Sequence, residues 1–172
     1  MAGDERYKGH DRLLEIWRDV AAAVPGAVLR IVGDGDDRAR LEQKVASLNR
    51  GDQVMFLGRL DEDALHREYE RCTAFVMPSR DEGFGFVFIE AMRAARACVG
   101  SRGAAAEIIA DEETGLLVEP GDRAQLLQGV VRVLRDRAVT DAMGARGRVR
   151  FLQRFTEERF RDRFTALLPV SL

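Results

Sequence analysis

Up to Val118 the chain alternates apolar runs of strand length with amphipathic runs of helix length. Val28-Leu-Arg-Ile-Val32, Val54-Met-Phe-Leu57, Ala74 to Met77, Ala97 to Gly100 and Leu116-Leu-Val118 read as strands. Between them, Leu13, Leu14, Ile16, Trp17, Val20 and Ala21 make one apolar stripe at helical spacing, and Leu41, Val45 and Leu48 make another. Asp61 is placed to cap a helix carrying Leu65 and Tyr69, and a further helix is predicted over Val87 to Ala97. Such alternation predicts an α/β fold, a Rossmann-like doubly wound parallel sheet with helices on both faces. After Pro120-Gly121-Asp122 the pattern changes to three helical runs without strands, Asp122 to Asp136, Val139 to Gln153 and Thr156 to Leu168. Asp122 and Thr156 are their candidate caps. Residues 1–172 thus read as a single domain whose C-terminal segment is helical from about residue 122.

The stretch from Glu82 to Glu90, Glu-Gly-Phe-Gly-Phe-Val-Phe-Ile-Glu, carries the densest chemistry. It places a glycine-rich turn between a buried strand and a helix start, where backbone N–H groups can approach an anion closely. Glu82 sits in the turn and Glu90 about one and a half turns into the helix, with its side chain leaning back toward the N-terminus. One carboxylate can then stand on each side of a bound diphosphate, an arrangement suited to a sugar nucleotide. Phe84, Phe86 and Phe88 read as packing residues.

Composition adds mainly exclusions. With 46% hydrophobic and 33% charged residues and a net charge of −2, acids and bases interspersed, nothing points to nucleic acid or a membrane surface as partner. Arginines such as Arg132, Arg135 and Arg137 are expected on solvated helix faces. Cys72 and Cys98 lie near apolar runs without metal-ligand spacing, so buried free thiols in a reducing compartment are expected. His10 and His66 have no acidic or cysteine partner at ligand spacing, and no metal site is predicted. No apolar run approaches membrane-span length and the first residues lack a signal-peptide pattern, which leads to a cytoplasmic expectation.

Five segments now combine: Tyr7-Lys-Gly-His-Asp-Arg-Leu13, Ile31-Val-Gly-Asp-Gly35, Phe56-Leu-Gly-Arg59, Glu82 to Glu90, and Glu113-Thr-Gly-Leu-Leu-Val-Glu-Pro120. In that order they make the chain resemble the C-terminal, donor-binding half of a retaining glycosyltransferase of family 4 (glycosyl transferases group 1), which has the two-domain GT-B architecture. The resemblance implies transfer of a sugar from a UDP- or GDP-sugar to an acceptor hydroxyl with retention, without cofactor or catalytic metal. It implies that Lys8 neutralises the donor diphosphate and Glu82 contacts donor-sugar hydroxyls, the two candidate catalytic residues. Gly83, Phe84 and Gly85 would offer N–H groups to sugar and phosphates, and Glu90 would accept hydrogen bonds from ribose. Gly33 and Gly58 would line the nucleotide pocket, and Glu107 falls in the donor region with its role open.

Two departures from the family pattern shape further expectations. In Arg102-Gly-Ala-Ala-Ala-Glu107, Ala104 stands where relatives have the second glycine of a pair. Relatives also have a strand ending in Gly-Arg before the segment matching Ala2 to Lys8, and this chain begins after it. A central gap in the sheet is therefore expected between Val28–Val32 and Ala74–Met77, closed by direct pairing, by another chain, or by a partner. The resemblance further implies an acceptor domain or subunit, with membrane association at most peripheral through a partner. The alternative is a non-catalytic nucleotide-sugar-binding module, a subunit of a split transferase or a truncated remnant. Phe160, Phe164, Leu167 and Leu168 give the last helix an apolar stripe that would seek a partner, so a homodimer is expected.

Overall fold

The structure is a computed structural model and describes residues 8–48, 53–80, 83–103 and 105–167. In chain order it comprises α1 (His10–Ala23), β1 (Leu29–Val32), α2 (Arg38–Ser47), β2 (Val54–Gly58), α3 (Glu62–Arg71), β3 (Ala74–Met77) and α4 (Phe86–Arg93). These are followed by β4 (Ala97–Ser101), α5 (Ala105–Ile108), β5 (Gly115–Val118), α6 (Arg123–Arg135), α7 (Arg137–Arg154) and α8 (Glu157–Leu167). Among the described residues the ladders β1–β2, β3–β4 and β4–β5 are all parallel, as strands joined through helices require.

The side chains of β4 and β5 show how the helices are arranged. Ala97 and Val99 of β4 and Leu116 and Val118 of β5 join one core with α1, α2 and α6. The intervening Cys98 and Leu117 join a second core with Phe88, Ala91 and Met92 of α4 and with Ile108 of α5. Successive strand residues point to opposite faces, so both faces are covered by helices, as the sequence pattern predicts. Gly115 allows β5 to run tightly along β4; a Cβ there would lie 3.0 Å from the Cys98 carbonyl carbon.

The strands form two hydrogen-bonded groups, β1–β2 and β3–β4–β5. Leu29 pairs with Val54 and Ile31 with Phe56, while Ala74 pairs with Ala97 and Cys98 with Gly115. β1 and β3, the strands on either side of the expected central gap, do not pair with each other. Both are half-buried along their whole length, whereas β4 and β5 are buried throughout. Of the three ways to close the gap, direct pairing is therefore not the one adopted. The groups are held to a common core instead, since Leu29 and Ile31 of β1 and Ala74 and Val76 of β3 all pack against the cluster containing α1.

Three predicted caps are present. Asp61 accepts the Ala64 N–H at 2.7 Å, Asp122 that of Gln125 at 2.9 Å, and the Thr156 hydroxyl that of Arg159 at 3.3 Å. Asp136 caps α7 in the same way through Val139 at 3.0 Å. The expected helix over Val87 to Ala97 is shorter and starts earlier, running from Phe86 to Arg93. The chain turns at Ala95, whose φ of 56° is left-handed, and Gly144 of α7 packs against the Ala95 carbonyl, closing off that end. Helix α5 is too short to show a sequence period. Both cysteines are free, and burial raises both thiol pKa values, most strongly for the fully buried Cys98.

Candidate functional site

The carboxyl ends of parallel strands are where open α/β sheets hold ligands, and most of the predicted residues that the structure describes lie near them. Gly9, between Lys8 and α1, has φ 83° and caps that helix. It lies hard against the end of β3: a Cβ at Gly9 would be 2.8 Å from the Pro78 carbonyl carbon and closer still to its oxygen. Only glycine satisfies both the left-handed conformation and this close approach. The contact fixes half-buried Lys8 beside the loop that follows β3.

That loop leads to Gly83, Phe84 and Gly85. Gly85 is left-handed at φ 81°, caps α4, and its carbonyl accepts the Phe88 N–H at 2.9 Å. The N–H groups of Phe86 and Val87 precede the first helical acceptor of α4 and carry the positive end of the helix dipole. Glu82 lies outside the described residues, as does Ala104. Phe88 is fully buried, but Phe84 and Phe86 are 47% and 69% exposed, with ring centroids 4.9 Å apart. The expectation that all three phenylalanines are packing residues is thus corrected for two of them. The helix begins at Phe86, so Phe88 faces the core while its neighbours flank the glycine loop.

Glu90 is the fifth residue of α4 and is exposed. Its Oε2 accepts a hydrogen bond of 2.9 Å from the Tyr69 hydroxyl on α3. The Tyr69 ring packs against Phe75, and Phe75 in turn against Phe88, with centroid separations of 5.8 and 5.5 Å. Burial, and then the Glu90 charge, raise the Tyr69 pKa, so the phenol stays a donor at neutral pH. A rigid aromatic stack thereby holds the carboxylate.

Gly33 and Gly58 meet at the ends of β1 and β2, where the Gly33 N–H donates to the Gly58 carbonyl at 2.8 Å. Both have positive φ, 113° and 68°. An open depression of about 560 Å³ adjoins this corner, lined by Leu57 and Leu60 and by Ala64, Arg67, Glu68 and Arg71 of α3. Glu107 lies exposed on α5, after the loop that follows β4. The structure therefore brings Lys8, Gly83, Phe84 and Gly85 to the end of β3, sets Gly33 and Gly58 at the ends of the other strand pair, and leaves Glu107 apart on α5.

Sequence reasoning missed Gly9 and Tyr69. The first is visible as the glycine of Lys8-Gly9-His10 but not as a contact with Pro78. The second depends on a partner 21 residues away, for which spacing gives no signal. His66, expected to lack an acidic partner, pairs with Glu70 at 3.2 Å one helical turn on, both side chains being exposed. No group of three or more metal-ligating side chains occurs among the described residues, and none of their helices is long and apolar enough to cross a membrane.

Comparison with known proteins gives the chain's family and fold. Residues 2–150 match the family described as Glycosyl transferases group 1. The chain is 32% identical over 169 residues to a GDP-mannose-dependent monoacylated alpha-(1-6)-phosphatidylinositol monomannoside mannosyltransferase from Corynebacterium glutamicum, covering 94% of this chain and 44% of that protein. It superposes on sucrose-phosphate synthase from Thermosynechococcus elongatus with a TM-score of 0.82 at 33% identity, covering 94% of this chain and 44% of that one. Anabaena HepE in complex with UDP shares the fold, with a TM-score of 0.81 over 95% of this chain and 46% of that one at 22% identity. The chain spans less than half the length of each of these proteins.

Proposed function

Because this chain belongs to the glycosyl transferases group 1 family and has the fold of a GT-B C-terminal half, we propose that it binds the nucleotide-sugar donor of a glycosyl transfer. The donor is a UDP- or GDP-sugar, and transfer to an acceptor hydroxyl proceeds with retention once an acceptor domain or subunit closes over it. The observation that carries this reading is the grouping at the end of β3. Gly9 seats Lys8 there, the Gly83–Gly85 loop opens the N-terminus of α4, and Tyr69 holds Glu90 just over one turn further on.

In this reading the chain's contribution is electrostatic. Lys8 and the first N–H groups of α4 stabilise the charge that gathers on the departing diphosphate. Glu90, already oriented by Tyr69, accepts hydrogen bonds from the ribose hydroxyls, and Glu82 orients the donor sugar. Gly33 and Gly58 leave room for the nucleotide beside the α3 depression, and Glu107 stands on the donor side. The reading needs no cofactor or metal. It places the protein in the cytoplasm, with any membrane contact made through a partner.

Calorimetric titration with UDP, GDP, UDP-glucose and GDP-mannose tests it, with Glu90→Ala in parallel. Saturable binding of one base series is expected, weakened about 10- to 100-fold in Glu90→Ala by loss of charge-assisted hydrogen bonds. Absence of binding to all four, or equal affinity in the variant, would overturn it.

A further inference from the structure

Among the described residues, three buried side-chain atoms have no hydrogen-bond partner: Arg12 Nη2, Ser101 Oγ and Trp17 Nε1. Two of these side chains, Arg12 and Ser101, line the same cavity of about 170 Å³. It lies at the carboxyl ends of β3, β4 and β5, on the face carrying α1 and α6, with Pro78 and Val118 also in its wall. Ser101 is only 4% exposed. Arg12 Nη2 reaches the open α-carbon of Gly121, where a Cβ would stand 3.9 Å away.

Buried polar groups are nearly always satisfied, so two orphans in one cavity call for a ligand that accepts from both. The charges around them point the same way. Arg80 also lines the cavity, and burial together with the Arg80 charge depresses the Arg12 pKa. The carboxylates in the wall are engaged elsewhere. Glu15 accepts from Lys44 at 3.0 Å, Glu119 from Arg102 at 2.8 Å, and Asp122 caps α6 through Gln125. Arg123, the third arginine of the wall, is bound to Asp19. Beside these engaged groups the wall offers the guanidinium groups of Arg12 and Arg80 and the Ser101 hydroxyl, a donor set that complements a tetrahedral oxyanion.

We propose that this cavity binds a phosphate-sized oxyanion, held by Arg12, Arg80 and the Ser101 hydroxyl, on the opposite face of the sheet from Glu90. Size supports the small ligand: 170 Å³ has room for roughly five or six waters at about 30 Å³ each, whereas pockets for larger ligands run to roughly 300–1,000 Å³. Position supports the separation. Arg12 and the cavity-lining Leu126 lie on the α1–α6 face, while Glu90 rides on α4, whose Phe88, Ala91 and Met92 belong to the opposite core, so the cavity stands apart from the Glu90 carboxylate although its wall shares Pro78 with the seat of Lys8. The inference does not rest on donor binding.

The test is thermal unfolding in phosphate-free buffer against inorganic phosphate, with sodium chloride of equal ionic strength as control. For a Kd of roughly 1 mM, about 20 mM phosphate should raise the wild-type melting temperature by about 5 °C beyond the salt control. Arg12→Leu should lose that rise yet melt no lower than wild type without phosphate, since it removes an unsatisfied buried donor. Ser101→Ala, a smaller change, serves as the second variant and should weaken the response. Glycerol 3-phosphate identifies the source: tenfold tighter binding than inorganic phosphate assigns the site to a monoester, and equal binding to the free ion. A response no larger than that of sodium chloride, or one retained in both variants, would overturn the proposal. Competitive displacement of phosphate by UDP would overturn the placement apart from Glu90.

Discussion

Replacing Gly9 by alanine separates two costs that the structure assigns to one residue. At φ 83° an L-residue carries a left-handed penalty of about 1–2 kcal/mol. The added Cβ would also stand 2.8 Å from the Pro78 carbonyl carbon, well inside ordinary contact, and the obstacle is backbone at the end of β3 that cannot swing away. Crowding of this kind costs about 1–3 kcal/mol, so Gly9→Ala should lose about 3 kcal/mol in all. For a chain of this length that lowers the melting temperature by about 10 °C. Gly26 supplies the control: its φ is 87°, but nothing lies within 4 Å of its Cβ position. Gly26→Ala should therefore lose only the conformational part, about 1–2 kcal/mol. Urea denaturation of both variants, followed by circular dichroism, measures the difference. Equal losses would refute the contact between Gly9 and Pro78, and with it the argument that this contact seats Lys8 at the end of β3.

Three other perturbations probe different parts of the molecule. Tyr69→Phe keeps the ring against Phe75 but removes the hydroxyl that holds Glu90; nucleotide Kd should rise about 3- to 10-fold, and an unchanged Kd would mean the hydroxyl does not position the carboxylate. Asp11, hydrogen-bonded by Arg40 and Lys44, has its pKa pushed down in the folded state, so its stabilisation is complete above an unfolded value of about 4 and is lost as pH falls through the lower folded value. Asp11→Asn should then destabilise at pH 7 and flatten the acid limb of a stability-against-pH curve below about pH 5; a parallel limb would contradict the pairing. Phe160 and Phe164 of α8 are 65% and 54% exposed and stack at 6.1 Å, so wild type should self-associate in light scattering at high micromolar concentration and Phe160→Glu should not, whereas a monomeric wild type would contradict it.

Much of the architecture was readable from periodicity because the strands are short apolar runs and the helices carry clean stripes. The Ala74 to Met77 strand and the caps Asp61, Asp122 and Thr156 fall where the pattern puts them. What was not readable depended on contacts distant in sequence. The end of α4 is set by a turn at Ala95 against Gly144, so the apolar run to Ala97 overstated the helix. Phe84 and Phe86 read as packing residues, yet α4 starts only after Gly85 and both rings stand exposed beside that start. The motif residues of the glycine loop were legible. Their supports, Gly9 against Pro78 and Tyr69 on Glu90, were not, because support is a matter of tertiary proximity.

One helix ties these observations together. Among the described residues no hydrogen bond of the sheet joins β1–β2 to β3–β4–β5, yet both groups pack on the core cluster to which α1 contributes, and its Leu13, Leu14, Ile16, Trp17, Val20 and Ala21 are buried. At about 1.5–3 kcal/mol for each large apolar side chain removed from water, this helix contributes a major part of what keeps the two strand groups in one body. Lys8 and the cap Gly9 lead directly into this helix, which carries Arg12 in its first turn, so its N-terminus presents charge where the strands end. Stability and chemistry are therefore coupled through α1. Cutting its buried side, as in Trp17→Ala, should destabilise by about 3–5 kcal/mol and weaken anion and nucleotide binding together, while changes in α8 should leave both untouched. If Trp17→Ala instead unfolded β1–β2 locally and left binding at the end of β3 intact, the two strand groups would be independent units and α1 would belong only to the second.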